Sequence, residues 1–359
     1  MISSVTATAA SLTGLGGLGT PINTFAFGVS ADGSTVVGRS SSPAGQVAAV
    51  WTSSTGLQSI GDLPGGQFSS IANDVSGDGA VVVGQGNDAF FLNEAFRYDS
   101  TNGMVGLGFL SGATSSQANA VTGDGTKVVG QTGGGRNEAF LWDGTNGMQG
   151  LGDLPGGAAN SQAADISANG SIVVGRSISA NGVEAFVWDS TNGMQGLGDL
   201  PGGGFGSFAS GVSADGTIVA GRATSASGLE AMIWSSANGM QGLGDLPGGS
   251  FFSEATDLSA DGSVVVGRGS SAAGQRAFIW DASNGMRDLS IVLASLGVDL
   301  TGWTLTDASG ISADGLTIVG TGTHNGLTEG FIAVIPEPGT ALLMGLGLAG
   351  LAASKRRLG

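Results

Sequence analysis

From residue 161 to residue 200, polar and apolar positions run in short blocks divided by turn residues: SQAADIS, ANG, SIVVGRS, EAFVWD, STNG and MQGLGDL. SQAADIS alternates, and SIVVGRS is rich in β-branched residues, so the two predict an antiparallel strand pair. ANG and STNG supply residues that tolerate positive φ in tight turns. EAFVWD is apolar on both faces, as expected of a third strand covered on either side. MQGLGDL predicts a fourth strand. No block shows the three-to-four spacing of a helix.

The same pattern returns along the chain. The phrase NGMQGLGDLPGG stands at residues 146–157, 192–203 and 238–249. A second phrase, V/I/L-S/T-x-D/N-G, ends at Gly33, Gly79, Gly125, Gly170, Gly216, Gly262 and Gly315. An aromatic follows six of these copies (Trp51, Tyr98, Trp142, Trp188, Trp234, Trp280), with Ala333 in the seventh place. Repeats of about 40–50 residues are stacked supersecondary units that cannot fold singly. Four short strands per repeat predict an all-β fold, a seven-bladed β-propeller.

The seventh repeat stops at its third strand, EGFIAVI (329–335), while TGLGGLGT (13–20) is a fourth-strand phrase with no unit before it. The amino-terminal strand is therefore expected to complete the last blade, hiding a sheet edge that would otherwise be open. This divides the chain into a flexible 1–10, a propeller over 11–335 and a tail over 336–359. In the repeated phrase, NG turns strand three into strand four. GLG is expected to keep an inner strand thin where blades converge, and DLPGG to carry the chain to the next blade.

Composition sharpens this picture. With 69 glycines and only 11% charged residues, the chain turns often and builds short strands, while 41% hydrophobic content suffices for a core. The net charge of −16 argues against a nucleic-acid partner. Cysteine is absent, which removes disulfides and thiolate chemistry. The amino terminus lacks the basic and apolar segments of a signal peptide. At the other end, residues 339–354 are apolar and free of charge, and Lys355, Arg356 and Arg357 follow directly. That run is slightly short of the roughly 17–25 residues of a membrane span. With its basic stop it predicts a transmembrane tail helix, at least a transient anchor.

Candidate chemistry is sparse. Asp74–Gly79, Asp165–Gly170 and Asp257–Gly262 spell half of a calcium loop, but position twelve holds Gln85, Arg176 and Arg268 in place of a bidentate glutamate. Plain hairpins are expected. Gly345, Gly347 and Gly350 match a dinucleotide fingerprint only by letter, inside the apolar tail. The single histidine, His324, is expected in an exposed turn, and no nucleophile elbow accompanies it. Repeated acids such as Glu184 and Glu230 are expected to do a repeated structural task, pairing with Arg176 and Arg222. The irregular stretch 284–310 predicts a short helix over LSIVLASLG and an added aromatic, Trp303, packed as a cap. Neither a catalytic residue nor a cofactor or metal site is expected.

Two resemblances follow from these residues. Pro336-Glu337-Pro338, the apolar span and the basic cluster together resemble a PEP-CTERM sorting signal. That resemblance implies export in a Gram-negative bacterium, recognition by an exosortase, and a destination in the envelope or matrix alongside exopolysaccharide. The repeats over about 14–335 resemble the HAF-family extracellular repeat, with the His-Ala-Phe triplet appearing as Glu-Ala-Phe at 94–96, 138–140 and 184–186 and as Arg-Ala-Phe at 276–278. This implies a secreted repeat protein with no catalytic residues to carry over. The expected role is a non-enzymatic interaction or structural component partnered by polysaccharide or an envelope protein. A carbohydrate-active enzyme with carboxylates at one mouth of the ring is the rival expectation.

Overall fold

A computed structural model describes residues 9–90 and 92–336. Twenty-eight strands and one short helix make up these residues. The fourth repeat shows the local logic: Gly156–Ile166, Val173–Ser179, Gly182–Asp189 and Gly193–Gly196 pair antiparallel in chain order. Six repeats build such a four-stranded unit from consecutive strands, and a single parallel pairing, Leu229 with Phe252, links the fifth unit to the sixth. In the seventh, Trp303–Ile311, Thr317–His324 and Leu327–Val334 are joined by Ser11–Gly14, which pairs antiparallel with Leu327–Val334. Among the described residues no sheet closes on itself. A cycle of hydrogen bonds does return to its start: Ala31 N–H donates to Gly77 O, and so on through Gly123, Ala168, Ala214, Ala260 and Ala313, whose N–H donates to Ala31 O.

Each residue of the Glu-Ala-Phe triplet has a structural task. Its phenylalanine is the core: Phe96, Phe140 and Phe186 are fully buried, as are Phe278 of Arg-Ala-Phe and Phe331 of Glu-Gly-Phe, and Met232 takes the place in the fifth unit. Its alanine N–H reaches the next unit, where Ser116 Oγ accepts from Ala95 at 2.9 Å and donates to Gly108 O at 2.7 Å. Ser161, Ser207 and Ser253 do the same for the units that follow. Its glutamate clips the fourth strand. Glu94, Glu184 and Glu230 each accept the N–H of the second glycine of GLG, at 2.8–2.9 Å. A Cβ on the first glycine of that phrase would collide with the same carboxylate. GLG is thus thin for the glutamate's sake. It lies on the outermost strand, not on an inner one as the sequence suggested, because the first strands are the ones that converge. The fourth strand is also shorter than expected, four residues against seven.

The seventh unit repeats this chemistry with a borrowed strand. Leu15 N–H donates to Gly330 O as Leu107 N–H donates to Ala95 O. Gly16 N–H donates to Glu329 Oε1 at 2.8 Å, and Thr24 Oγ1 donates to Gly16 O at 2.6 Å, standing in for the inter-unit serine. The helix Leu289–Ser295 lies between units six and seven, capped by Asp288, whose side chain accepts the Ser290 N–H. Leu289 and Leu293 are fully buried, as the expected cap requires.

Candidate functional site

Antiparallel order gives each unit two ends. One carries the turns between first and second and between third and fourth strands. The other carries the second-to-third hairpins and the crossings between units. The turn end is acidic, with exposed Asp32, Asp78, Asp124, Asp215, Asp261 and Asp314. These carboxylates are engaged locally. The Ser76 hydroxyl, then the Ala80 N–H, holds Asp78 below the usual carboxylate range, and Asp32 and Asp215 are held in the same way. The crossing end carries the exposed apolar residues Phe68, Phe90, Leu92, Phe205 and Leu327. The third strand of the seventh unit ends at the turn end, where Ile335 N–H donates to Leu316 O and Pro336 is buried. The chain therefore leaves on the acidic side. Glu337, Pro338, the apolar run and Lys355, Arg356 and Arg357 lie outside the described residues. Among the described residues no helix is long and apolar enough to cross a membrane.

At the axis, Asp74, Asp165 and Asp257 line a cavity of about 170 Å³. They belong to alternate units and follow a bulge in the first strand. Each accepts an N–H from the next unit: Val121 at 2.9 Å, Val212 at 2.8 Å and Ile311 at 2.9 Å. Gly28, Ala120, Gly211 and Gly310 hold this place in the other units, and a Cβ on Gly28 would crowd Asp74. Burial pushes Asp74 up to about 6 and Asp257 to about 7; it drives Asp165 well above its ordinary value, with repulsion from Asp257 and Asp74 added.

Around the axis, toward the crossing end, the second strands present Arg39, Gln85, Gln131, Arg176, Arg222, Arg268 and Thr321 at one equivalent position. Arg39 stacks over Phe25 at 4.2 Å and Arg222 over Phe208 at 4.3 Å. Arg222 also pairs with Glu254 at 2.8 Å, and Arg268 pairs with Glu254 at 2.6 Å and with Asp307 at 3.3 Å.

Several expectations are corrected here. Arg222 reaches Glu254 of the next unit and not Glu230, and Arg176 Nε donates to Gln162, not to Glu184. The glutamates are occupied by the glycine clip. His324 ends a strand rather than sitting in an exposed turn: it stacks on Trp303 with centroids 4.3 Å apart, and its Nδ1 lies 2.7 Å from Glu329 Oε2. The first and fifth residues of each half calcium loop separate: Asp257 faces the axis, whereas Asp261 caps its hairpin through the Ser263 N–H and the Ser259 hydroxyl, as Asn169 does in the Asp165 copy. Among the described residues no group of three His, Cys, Asp or Glu side chains is placed to hold a metal ion. The sequence singles out Asp74, Asp165 and Asp257 as openings of half calcium loops but not as an axial set, although their alternation with Gly28, Ala120, Gly211 and Gly310 was a visible signal.

Residues 334–357 match the family model of the PEP-CTERM protein-sorting motif. The chain carries a PEP-CTERM sorting signal. This marks an exported protein with a membrane-associated carboxyl-terminal signal that an exosortase recognises. No curated protein matches the chain. Among solved structures, an oligogalacturonate lyase in complex with manganese is 12% identical, with 91% of this chain and 93% of that one covered at a TM-score of 0.55. Oligogalacturonate lyase from Vibrio parahaemolyticus is 10% identical, with coverages of 92% and 98% and a TM-score of 0.55. TolB from Acinetobacter baumannii is 13% identical over 71% of this chain, at a TM-score of 0.49. The chain spans 63% of that TolB's length. Likeness at such identity concerns the fold alone, which is all-β and propeller-like.

Proposed function

We propose that the chain is a seven-bladed propeller of HAF-type extracellular repeats, closed by its amino-terminal strand and displayed at the cell surface or in the extracellular matrix. It works there as a non-enzymatic interaction component that binds polysaccharide or an envelope protein. An exosortase handles its tail, which anchors it to the membrane transiently or permanently. No cofactor enters this reading. The observation that carries it is the sorting motif, which begins where the last strand ends, at Val334. The exposed aromatics of the crossing end favour carbohydrate as the ligand, because an aromatic ring face packs against the C–H face of a sugar. One feature supports the rival, a carbohydrate-active enzyme: half-buried axial carboxylates with raised pKa are the kind of group that serves as a general acid.

Incubation of the full chain with soluble polysaccharides, following both binding and new chain ends, separates the two readings. Binding without depolymerisation is expected. Turnover of any polymer that Asp257→Asn abolishes would replace the binding role with catalysis.

A further inference from the structure

Between the second and third units, at the crossing end, lies a cavity of about 200 Å³ whose lining includes Gln85, Asn93, Gln117, Gln131 and Asn137, with no charged side chain among its lining residues. We infer that this cavity, together with Phe90 on the loop that runs into its lining residue Asn93, is the subsite for an uncharged sugar residue of a polysaccharide. The inference rests on the glycan-binding role proposed above and names its place and ligand class.

The cavity exists because the repeat is broken here. The position that holds Arg39, Arg176, Arg222 and Arg268 in four other units holds Gln85 and Gln131 in these two. In those four units the long guanidinium occupies much of the space by stacking on Phe25 or Phe208, or by pairing with Glu254, while the seventh unit has Thr321 there. A glutamine is shorter and leaves that space open. Structural duties recur with the repeat, as the glutamate clip and the inter-unit serine do. Gln85 and Gln131 depart from it together, on facing sides of one cleft.

The lining chemistry selects the ligand. A carboxamide offers both a donor and an acceptor, which matches neighbouring sugar hydroxyls that do the same. Gln131 Oε1 is buried without a hydrogen-bond partner among the described residues, so a hydroxyl donor entering the cavity would satisfy it. With no cation in the lining, nothing would neutralise a uronic acid. The volume lies below the roughly 300–1,000 Å³ of sites for larger ligands, so one ring enters while the polymer runs across the surface.

Phe90 supplies the apolar half of the recognition. It is 80% exposed, at the tip of the loop that leads into Asn93. Asp88 holds that loop in shape: its Oδ1 accepts the Phe90 N–H at 2.8 Å and the Leu92 N–H at 2.9 Å. A loop backbone held in place before the ligand arrives loses little freedom on binding.

Affinity electrophoresis of the full chain in detergent micelles tests this, in gels containing uncharged polymers (dextran, galactan, mannan) or charged ones (polygalacturonate, alginate). At least one uncharged polymer should retard the protein. Gln131→Ala and Phe90→Ala should each weaken that retardation at least tenfold, with melting temperatures unchanged, while Gln149→Ala on an outer strand should have no effect. Retardation by an uncharged polymer that both variants retain would overturn the subsite and leave the glycan-binding role standing. Retardation by charged polymers alone would overturn the ligand class and the subsite with it. If no polymer retards the protein, the glycan-binding role itself fails.

Discussion

Deleting residues 11–16 should destabilise the protein by at least about 3.5 kcal/mol and convert it from a monodisperse species into an aggregating one. Two losses set the magnitude. Leu15 is buried, and removing a buried leucine side chain costs about 2–5 kcal/mol. Glu329, also buried, would lose the Gly16 N–H it accepts, and a hydrogen bond to a charged group contributes about 1.5–3 kcal/mol. The aggregation has a separate cause. Without Ser11–Gly14 the strand Leu327–Val334 presents unpaired backbone groups along one side, an edge that invites pairing between molecules. Urea unfolding and size-exclusion chromatography of the full chain and the deletion variant check both effects. An unchanged unfolding midpoint together with an unchanged elution volume would show that this strand does not hold the seventh unit.

The second large effect is a stability that falls as the solution becomes alkaline. Asp74 and Asp257 titrate near 6 and 7 in the folded protein, against about 4 when unfolded, because burial disfavours their charged forms. A raised folded pKa means that the folded state holds more protons between these values. The stabilisation is therefore complete below about pH 4 and is lost as pH rises toward 7. For the pair this amounts to roughly 7 kcal/mol at most, since each tenfold gain in proton affinity on folding contributes about 1.4 kcal/mol. Asp32, Asp78 and Asp215 at the turn end act in the opposite direction. Their carboxylates are held below the usual range, so the stability they contribute is present above about pH 4 and is lost under more acid conditions. Melting temperatures should accordingly peak near pH 5 and decline toward pH 8. Asp257→Asn, which keeps an oxygen for the Ile311 N–H but cannot ionise, should flatten the alkaline side of the curve. A wild-type profile that rises from pH 5 to pH 8 would contradict the axial account.

Much of this architecture was legible because the repeat is written in turn residues. The glycines at Gly33 through Gly315 fix where hairpins fall, and the unpaired phrases at 13–20 and 329–335 point to the pairing that the structure shows. What remained hidden was the direction of side chains. Thinness suggests crowding at a centre, so GLG reads as central, whereas the crowding comes from one glutamate on the neighbouring strand. The expected pairings of Glu184 and Glu230 with arginine fail for the same reason: the acids and the arginines have different, repeating partners. Registry across units was also invisible. Nothing local distinguishes Asp257, which faces the axis, from Asp261, which caps a turn four residues later. His324 reads as a turn residue because its neighbours Asn325 and Gly326 form a turn, but the stack on Trp303 comes from twenty-one residues away.

The tail gives the most direct test of the proposed role. The protein, carrying an epitope in the second-to-third hairpin of its first unit, would be followed by cell fractionation in a PEP-CTERM-processing bacterium and in a derivative lacking its exosortase. The account predicts a shortened form at the surface or in the medium of the parent, and a full-length form held in the membrane of the derivative. Full-length protein in the cytosol of both strains would contradict it.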